Sequence, residues 1–316
     1  MYPARILLYV ILLCTTVLLS VQAEEDIYDA AEHGNLDRVK EILKKGPEQV
    51  NKEDPFGLST PLDYAAGAGH IEVCRFLIDN GADIHHIQVS TLWTPLHNAA
   101  YNAHTDVCEL LLSNGAKADI FTEAALGHIK KLKQRLKKNP SDINKKQRNG
   151  TRPLDWAVAG HQPEMCTFLI KKGAHVNLPD TTDCSPALEL AASRGHIDIA
   201  GILLKNGAHV NSGRAQKDYT PLHNAANHGR EEMCRFLISE GADVNALTKH
   251  GTSPLYLAVE KEHIDICRIL LDNGADVNAK DNHGWTVLDR ALRSKHDELI
   301  TLIKEHGGVS GREKTE

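Results

Sequence analysis

Thr60-Pro61-Leu62-Asp63-Tyr64-Ala65-Ala66 returns as Thr94-Pro95-Leu96-His97-Asn98-Ala99-Ala100 and again as Thr220-Pro221-Leu222-His223-Asn224-Ala225-Ala226. Weaker copies open at Arg152-Pro153-Leu154, Pro186-Ala187-Leu188, Ser253-Pro254-Leu255 and Thr286-Val287-Leu288. Each is followed by a Gly-His-like turn slot, read at Asn35, His70, His104, His128, Gln162, His196, Arg230, His263 and His296. The steps between slots are 35, 34, 24, 34, 34, 34, 33 and 33 residues. A period near 33 residues belongs to stacked supersecondary units that bury their apolar faces only against their neighbours. A chain built this way presents an extended surface rather than enclosing a substrate.

A second run completes the period: Asn80-Gly81-Ala82-Asp83, Asn114-Gly115-Ala116, Lys172-Gly173-Ala174, Asn206-Gly207-Ala208, Glu240-Gly241-Ala242-Asp243-Val244-Asn245 and Asn273-Gly274-Ala275-Asp276-Val277-Asn278. Together with Thr-Pro-Leu-His-x-Ala, these runs resemble ankyrin repeats, about nine of them, across residues 26–307. The resemblance implies an all-α solenoid of helix-turn-helix units with β-hairpin fingers. It also implies a concave groove lined by the fingers and by the exposed face of the first helices.

The local chemistry agrees. Thr60 caps a helix and Pro61 occupies its first position. Ala65 and Ala66 let neighbouring units approach. Ile71, Val73, Cys74, Leu77 and Ile78 form a helical apolar stripe, which Gly81 ends. The first and last copies carry extra charge, as terminal caps require. The fourth copy, near residues 119–144, follows a step of 24 and lacks its preceding finger. That gap reads either as a neutral deletion or as a change of curvature that shapes the groove.

Residues 1–23 stand outside the repeat. Arg5, the apolar run from Ile6 to Leu19 and Val21-Gln22-Ala23 before Glu24 read as a signal peptide cleaved after Ala23. The alternative is a membrane anchor over residues 6–21, though the run falls short of the ~20 residues a spanning helix needs. The array then occupies residues 24–307, with a polar tail at 308–316. Export suggests a secreted, periplasmic or secretory-lumen protein. Five of the seven cysteines, Cys74, Cys108, Cys166, Cys234 and Cys267, share one inward slot of the second helix. Stacked helices lie ~8–10 Å apart, too far for disulfides, so buried thiols are expected.

A net charge of −6 argues against nucleic acid as the main ligand. The pattern places Phe56, Trp93, Tyr219 and Trp285 at finger ends. It places Tyr101, Asn102, Ser193, Arg194, Asn227, His228, Glu260 and Lys261 on the first-helix groove face. Phe56, Trp93, Tyr101, Asn102, Arg194, Tyr219, Asn227, His228 and Trp285 are the groove candidates, with aromatic rings as anchors. Trp156 and Tyr64 read as core. A basic run, Lys130, Lys131, Lys133, Arg135, Lys137, Lys138, Lys145, Lys146 and Arg148, reads either as a solvated convex face or as an attractor for an acidic protein, a phosphate-rich surface or an anionic membrane. Many of the eighteen histidines fill repeat slots, where the resemblance implies hydrogen bonds between adjacent turns and loops. His85-His86 is the one adjacent pair. Asn149-Gly150-Thr151 is a glycosylation sequon, meaningful in a eukaryotic secretory pathway.

No catalytic, metal or phosphate-cradling motif occurs, so neither an enzyme nor a cofactor is expected. The reading is an exported monomeric binding module that grips a partner protein in its groove, with no nucleic acid and no stable membrane insertion after signal cleavage. The alternatives are an accessory or protective factor for an exported enzyme, or a host-directed effector.

Overall fold

A computed structural model describes residues 26–56, 58–177, 187–213 and 219–311. The signal-peptide reading, Cys14, Cys184 and the end of the polar tail lie outside the described residues. Among the described residues the chain is all helical, with eighteen α-helices in consecutive pairs and no strand. The inner helices are α1 (Ile27–Glu32), α3 (Pro61–Ala68), α5 (Pro95–Tyr101), α7 (Ile120–Ala125), α9 (Pro153–Ala159), α11 (Ala187–Arg194), α13 (Pro221–Asn227), α15 (Pro254–Glu260) and α17 (Val287–Ser294). The outer helices are α2 (Leu36–Lys45), α4 (Ile71–Asp79), α6 (Thr105–Ser113), α8 (Ile129–Lys138), α10 (Pro163–Lys171), α12 (Ile197–Lys205), α14 (Glu231–Ser239), α16 (Ile264–Asp272) and α18 (Asp297–Glu305). Short 3₁₀ turns follow α2 at Pro47–Asn51 and α8 at Pro140–Asn144.

Thr-Pro-Leu opens the inner helices as its chemistry requires. Thr60 and Asp63 form a reciprocal capping box, and Pro sits at the first turn. Where histidine follows, its ring takes the same role. Nδ1 of His223 accepts from the Thr220 backbone N–H at 3.2 Å, which fixes the proton on Nε2. Nε2 then donates to the Thr252 carbonyl in the following finger at 3.0 Å. Buried alanines, Ala65 and Ala66 through Ala225 and Ala226, keep the inner row close-packed. Cys74, Cys108, Cys166, Cys234 and Cys267 are all buried and free, as their shared slot predicts. Burial pushes each of their thiols up to about 12.

Side chains near the fingers stitch the units together. Asn51 donates to the Gly81 carbonyl at 2.9 Å and accepts from the Asp83 N–H at 2.7 Å. Asn144, Asn211, Asn245 and Asn278 repeat this bridge. The expected β-hairpin fingers need correction. Each described finger is a turn closed by few backbone bonds, such as Gln88 N–H to Trp93 C=O at 2.9 Å and Thr248 N–H to Thr252 C=O at 3.0 Å.

The fourth copy is where the array departs from regularity. With no finger to space them, α5 and α9 approach each other across α7. The α9 terminus also presses on α7. A Cβ added at Gly160 would sit 2.0 Å from the Ala125 carbonyl oxygen, so only glycine fits.

Candidate interaction surface

The missing finger leaves a gap that aromatic side chains fill. Trp156, on α9, is fully buried at 0% exposure and is the hub. Trp93 lies 5.0 Å from it in an edge contact, Tyr101 5.1 Å, His97 5.5 Å and Phe121 5.9 Å. Trp93 and Tyr101 are themselves 5.0 Å apart. Ring quadrupoles favour these edge and tilted geometries. Both indoles are satisfied. Trp93 Nε1 donates to Gln147 Oε1 at 2.8 Å, and Trp156 Nε1 donates to Thr151 Oγ1 at 3.0 Å. Arg148 Nη1 donates to the Val89 carbonyl at 2.7 Å. The finger before copy three therefore meets the finger before copy five directly, across the unit that has none.

His97 shows the same adaptation. Its Nδ1 lies 3.2 Å from the Thr94 N–H it accepts, as in the other histidine copy, but no finger carbonyl follows. Nε2 instead donates to Asp119, the N-cap of α7, at 3.2 Å. Burial would raise the Asp119 carboxyl, yet the bonds from His97 and Thr122 bring it below its ordinary range.

The groove candidates fall into distinct groups. Trp93 and Tyr101 are half-buried members of the aromatic cluster. The Arg194 guanidinium lies over Tyr101 at 5.2 Å and donates to the Ala159 carbonyl at 3.2 Å. Asn102 is exposed but donates to the Gly67 carbonyl at 2.8 Å. Tyr219 stacks on His223 at 5.6 Å, and Trp285 lies 4.9 Å beneath the Arg293 guanidinium. Both are half-buried, as is Asn227, while His228 is exposed. Tyr64, expected in the core, is half-buried and donates its hydroxyl to Asp54 at 2.9 Å.

Phe56 alone among the candidate rings stands free, at 81% exposure. The sequence reading missed its companions. Ile87, Val89 and Leu92 are 56%, 62% and 55% exposed on the next finger. Gln88 Nε2 bonds Ser59 Oγ at 2.9 Å and holds the two fingers side by side. The alternation Ile87-Gln88-Val89 was the available signal. The histidine pair divides: His86 Nδ1 contacts the buried Asp63 carboxylate at 2.6 Å, whereas His85 is exposed. No group of three His, Cys, Asp or Glu side chains among the described residues is placed to hold a metal. No described helix is long and apolar enough to cross a membrane.

The turn slots divide according to the residue before them. Glycine at positive φ lets the next slot side chain lie on it: a Cβ at Gly34 or Gly69 would meet the ring of His70 or His104 at 2.5 Å. His70 and His104 then reach the Glu32 and Gly67 carbonyls at 2.8 and 3.0 Å. Ala103, His161 and Glu262 replace that glycine at positive φ. The next slot histidines, His128, His196 and His296, each keep a buried ring nitrogen without a partner. The implied hydrogen bond for every slot histidine is therefore corrected by the loss of glycine.

The family model for ankyrin repeats (3 copies) matches residues 27–122, 120–214, 188–281 and 245–313. The chain belongs to the ankyrin-repeat family. Ankyrin-repeat arrays generally mediate protein–protein interaction and are typically non-enzymatic. The chain is similar to the human DNA-binding protein RFXANK, 49% identical over 59 residues that cover 19% of this chain and 22% of that protein. It is similar to human ankyrin repeat domain-containing protein 39, 42% identical over 59 residues, covering 19% of this chain and 31% of that one. A longer match, 29% identical over 159 residues, covers 50% of the chain and 9% of alpha-latrocrustotoxin-Lt1a from Latrodectus tredecimguttatus. These alignments span under a third of each relative.

Proposed function

We propose that this protein is an exported, non-enzymatic binding module that seats a partner protein on its finger face. The N-terminal fingers are the anchor. The observation that carries this is the group of exposed apolar tips Phe56, Ile87, Val89 and Leu92, on two fingers locked together by Gln88 and Ser59. Exposed apolar side chains in one patch mark interaction sites more often than scattered ones do. The patch continues into the groove past Trp93, Tyr101 and Arg194, whose packed cluster supplies a rigid floor. Rigid, pre-formed contact surfaces lose less entropy on binding. Export rests on residues 1–23, and the accessory-factor and effector readings share the same binding surface.

A photo-crosslinking side chain placed at Val89 or Leu92 tests this reading, with Glu72 on the outer helix α4 as the control site. Crosslinks to one protein partner from the finger sites alone support it. Equal crosslinking from Glu72, or none from the fingers, overturns it.

A further inference from the structure

Outer helix α8 carries ten residues and no acid: Ile129-Lys130-Lys131-Leu132-Lys133-Gln134-Arg135-Leu136-Lys137-Lys138. Several cations on other outer helices sit with carboxylates. Arg38 and Lys45 pair with Glu41 at 3.0 and 2.7 Å, Arg235 with Glu231 at 3.0 Å and Arg268 with Glu298 at 3.0 Å. On α8, among the described residues, only Arg135 has such a partner, the buried Glu123 at 3.0 Å. Lys130, Lys131, Lys133, Lys137 and Lys138 are exposed. Lys133 and Lys137 stand one turn apart, a like-charge spacing that opposes helix formation. Its contacts with α6 and α10, its neighbours in the outer row, are sparse. A cleft of about 540 Å³ opens beside it, lined by Lys131, Arg135, Lys137, Lys138 and Asn139, with Glu123 masked by Arg135.

We propose that this cleft and the lysine face beside it bind a sulfated polysaccharide. Lysine ammoniums are compact point charges suited to scattered oxyanions, whereas planar bidentate recognition favours arginine. The Cβ atoms of residues one helical turn apart lie about 5–6 Å from one another, the scale of a sugar ring. α8 exposes no aromatic ring on which nucleic-acid bases would stack. It exposes no apolar face to enter a lipid surface. A flexible single chain follows the recess, which a rigid duplex or a flat bilayer spans without filling. The site lies on the outer row, apart from the finger face, and stands independently of the partner proposed there.

Heparin is the probe, titrated against the full chain over a range of salt. The variant is Lys131→Gln/Lys137→Gln/Lys138→Gln, and the control is Lys40→Gln/Lys44→Gln/Lys45→Gln on α2. Binding is expected to weaken as salt rises. The α8 variant should lower the slope of log K against log salt by about 2, and the control should leave it unchanged. The matching Lys→Arg triple should retain binding, and desulfated heparin should not bind. Equal losses in both glutamine variants, no binding at low salt, or tighter binding to duplex DNA, polyphosphate or anionic lipid vesicles than to heparin would overturn the proposal.

Discussion

The indole N–H of Trp93 donates to Oε1 of Gln147 at 2.8 Å, joining residues 54 apart in sequence. Between them lies the one unit that lacks a finger. This bond and the Trp93–Trp156 edge contact at 5.0 Å turn a deletion into a closed joint. Trp93 is therefore structural as well as surface-lining, and removing it destabilises the fold.

Truncating this joint has a graded cost. Trp93→Ala empties a half-buried aromatic site and should cost about 2–3 kcal/mol. Gln147→Ala strands the indole N–H and should cost about 1 kcal/mol. The pair should be non-additive in a double-mutant cycle measured by urea unfolding, because each change removes the same bond.

Gly160→Ala is the most damaging small substitution. The new methyl would meet the Ala125 carbonyl 2.0 Å away, and backbone on both sides resists the shift. A loss of about 1–3 kcal/mol or more is expected. Gly67→Ala, whose Cβ would meet Asn98 at an ordinary 3.7 Å, is the matched control in thermal melts.

His161→Gly should stabilise the protein. His161 holds a left-handed φ of 52° and stacks on His196 with centroids 4.0 Å apart. Glycine relieves that backbone cost of about 1–2 kcal/mol and forfeits an exposed contact to Asp198 at 3.1 Å worth under about 1 kcal/mol, for a small net gain. The same change alters the pH response. Burial, then His161 and Arg194, push His196 down to about 4. Its folded pKa is below its unfolded one, so the unfolded chain binds the extra proton. Stability is thus full above about pH 6.5 and falls as pH drops toward 4. Without His161 the folded pKa of His196 rises toward the unfolded one. The decline should then be smaller and level off at a higher pH in unfolding curves.

The five slot cysteines should resist labelling. Their thiols are buried, with pKa values raised to about 12, so little thiolate exists near neutral pH. Native protein treated with a thiol reagent should leave Cys74, Cys108, Cys166, Cys234 and Cys267 unmodified, and denaturant should expose all of them. Peptide mapping that finds Cys74 modified in the folded state would show that its slot opens.

Periodicity made much of this legible. Thr-Pro-Leu, the paired alanines and the cysteine slot each hold one phase in unit after unit, so burial follows from repetition. Trp156 was readable as core because it sits beside the alanine positions of α9. The finger contacts were not readable. Trp93 meets Gln147 only because the intervening finger is missing, and no periodic rule pairs residues across such a gap. The slot histidines show the same limit. His128 and His104 look alike in sequence, yet Ala103 precedes one in the stack and Gly69 the other. Finger tips such as Val89 lack a repeated phase, so the short alternation Ile87-Gln88-Val89 was their one signal in the sequence.

The most direct test compares two variants for melting temperature and for recovery of a partner protein by the full chain. Phe56→Ser/Val89→Ser changes only exposed tips, and Trp93→Ala opens the joint. The finger-tip variant should melt with the unaltered protein, since surface changes usually stay within about 0.5 kcal/mol, and should lose the partner. Trp93→Ala should melt earlier. A finger-tip variant that folds and recovers the partner as well as the unaltered chain would contradict the assignment of the finger face as the binding surface.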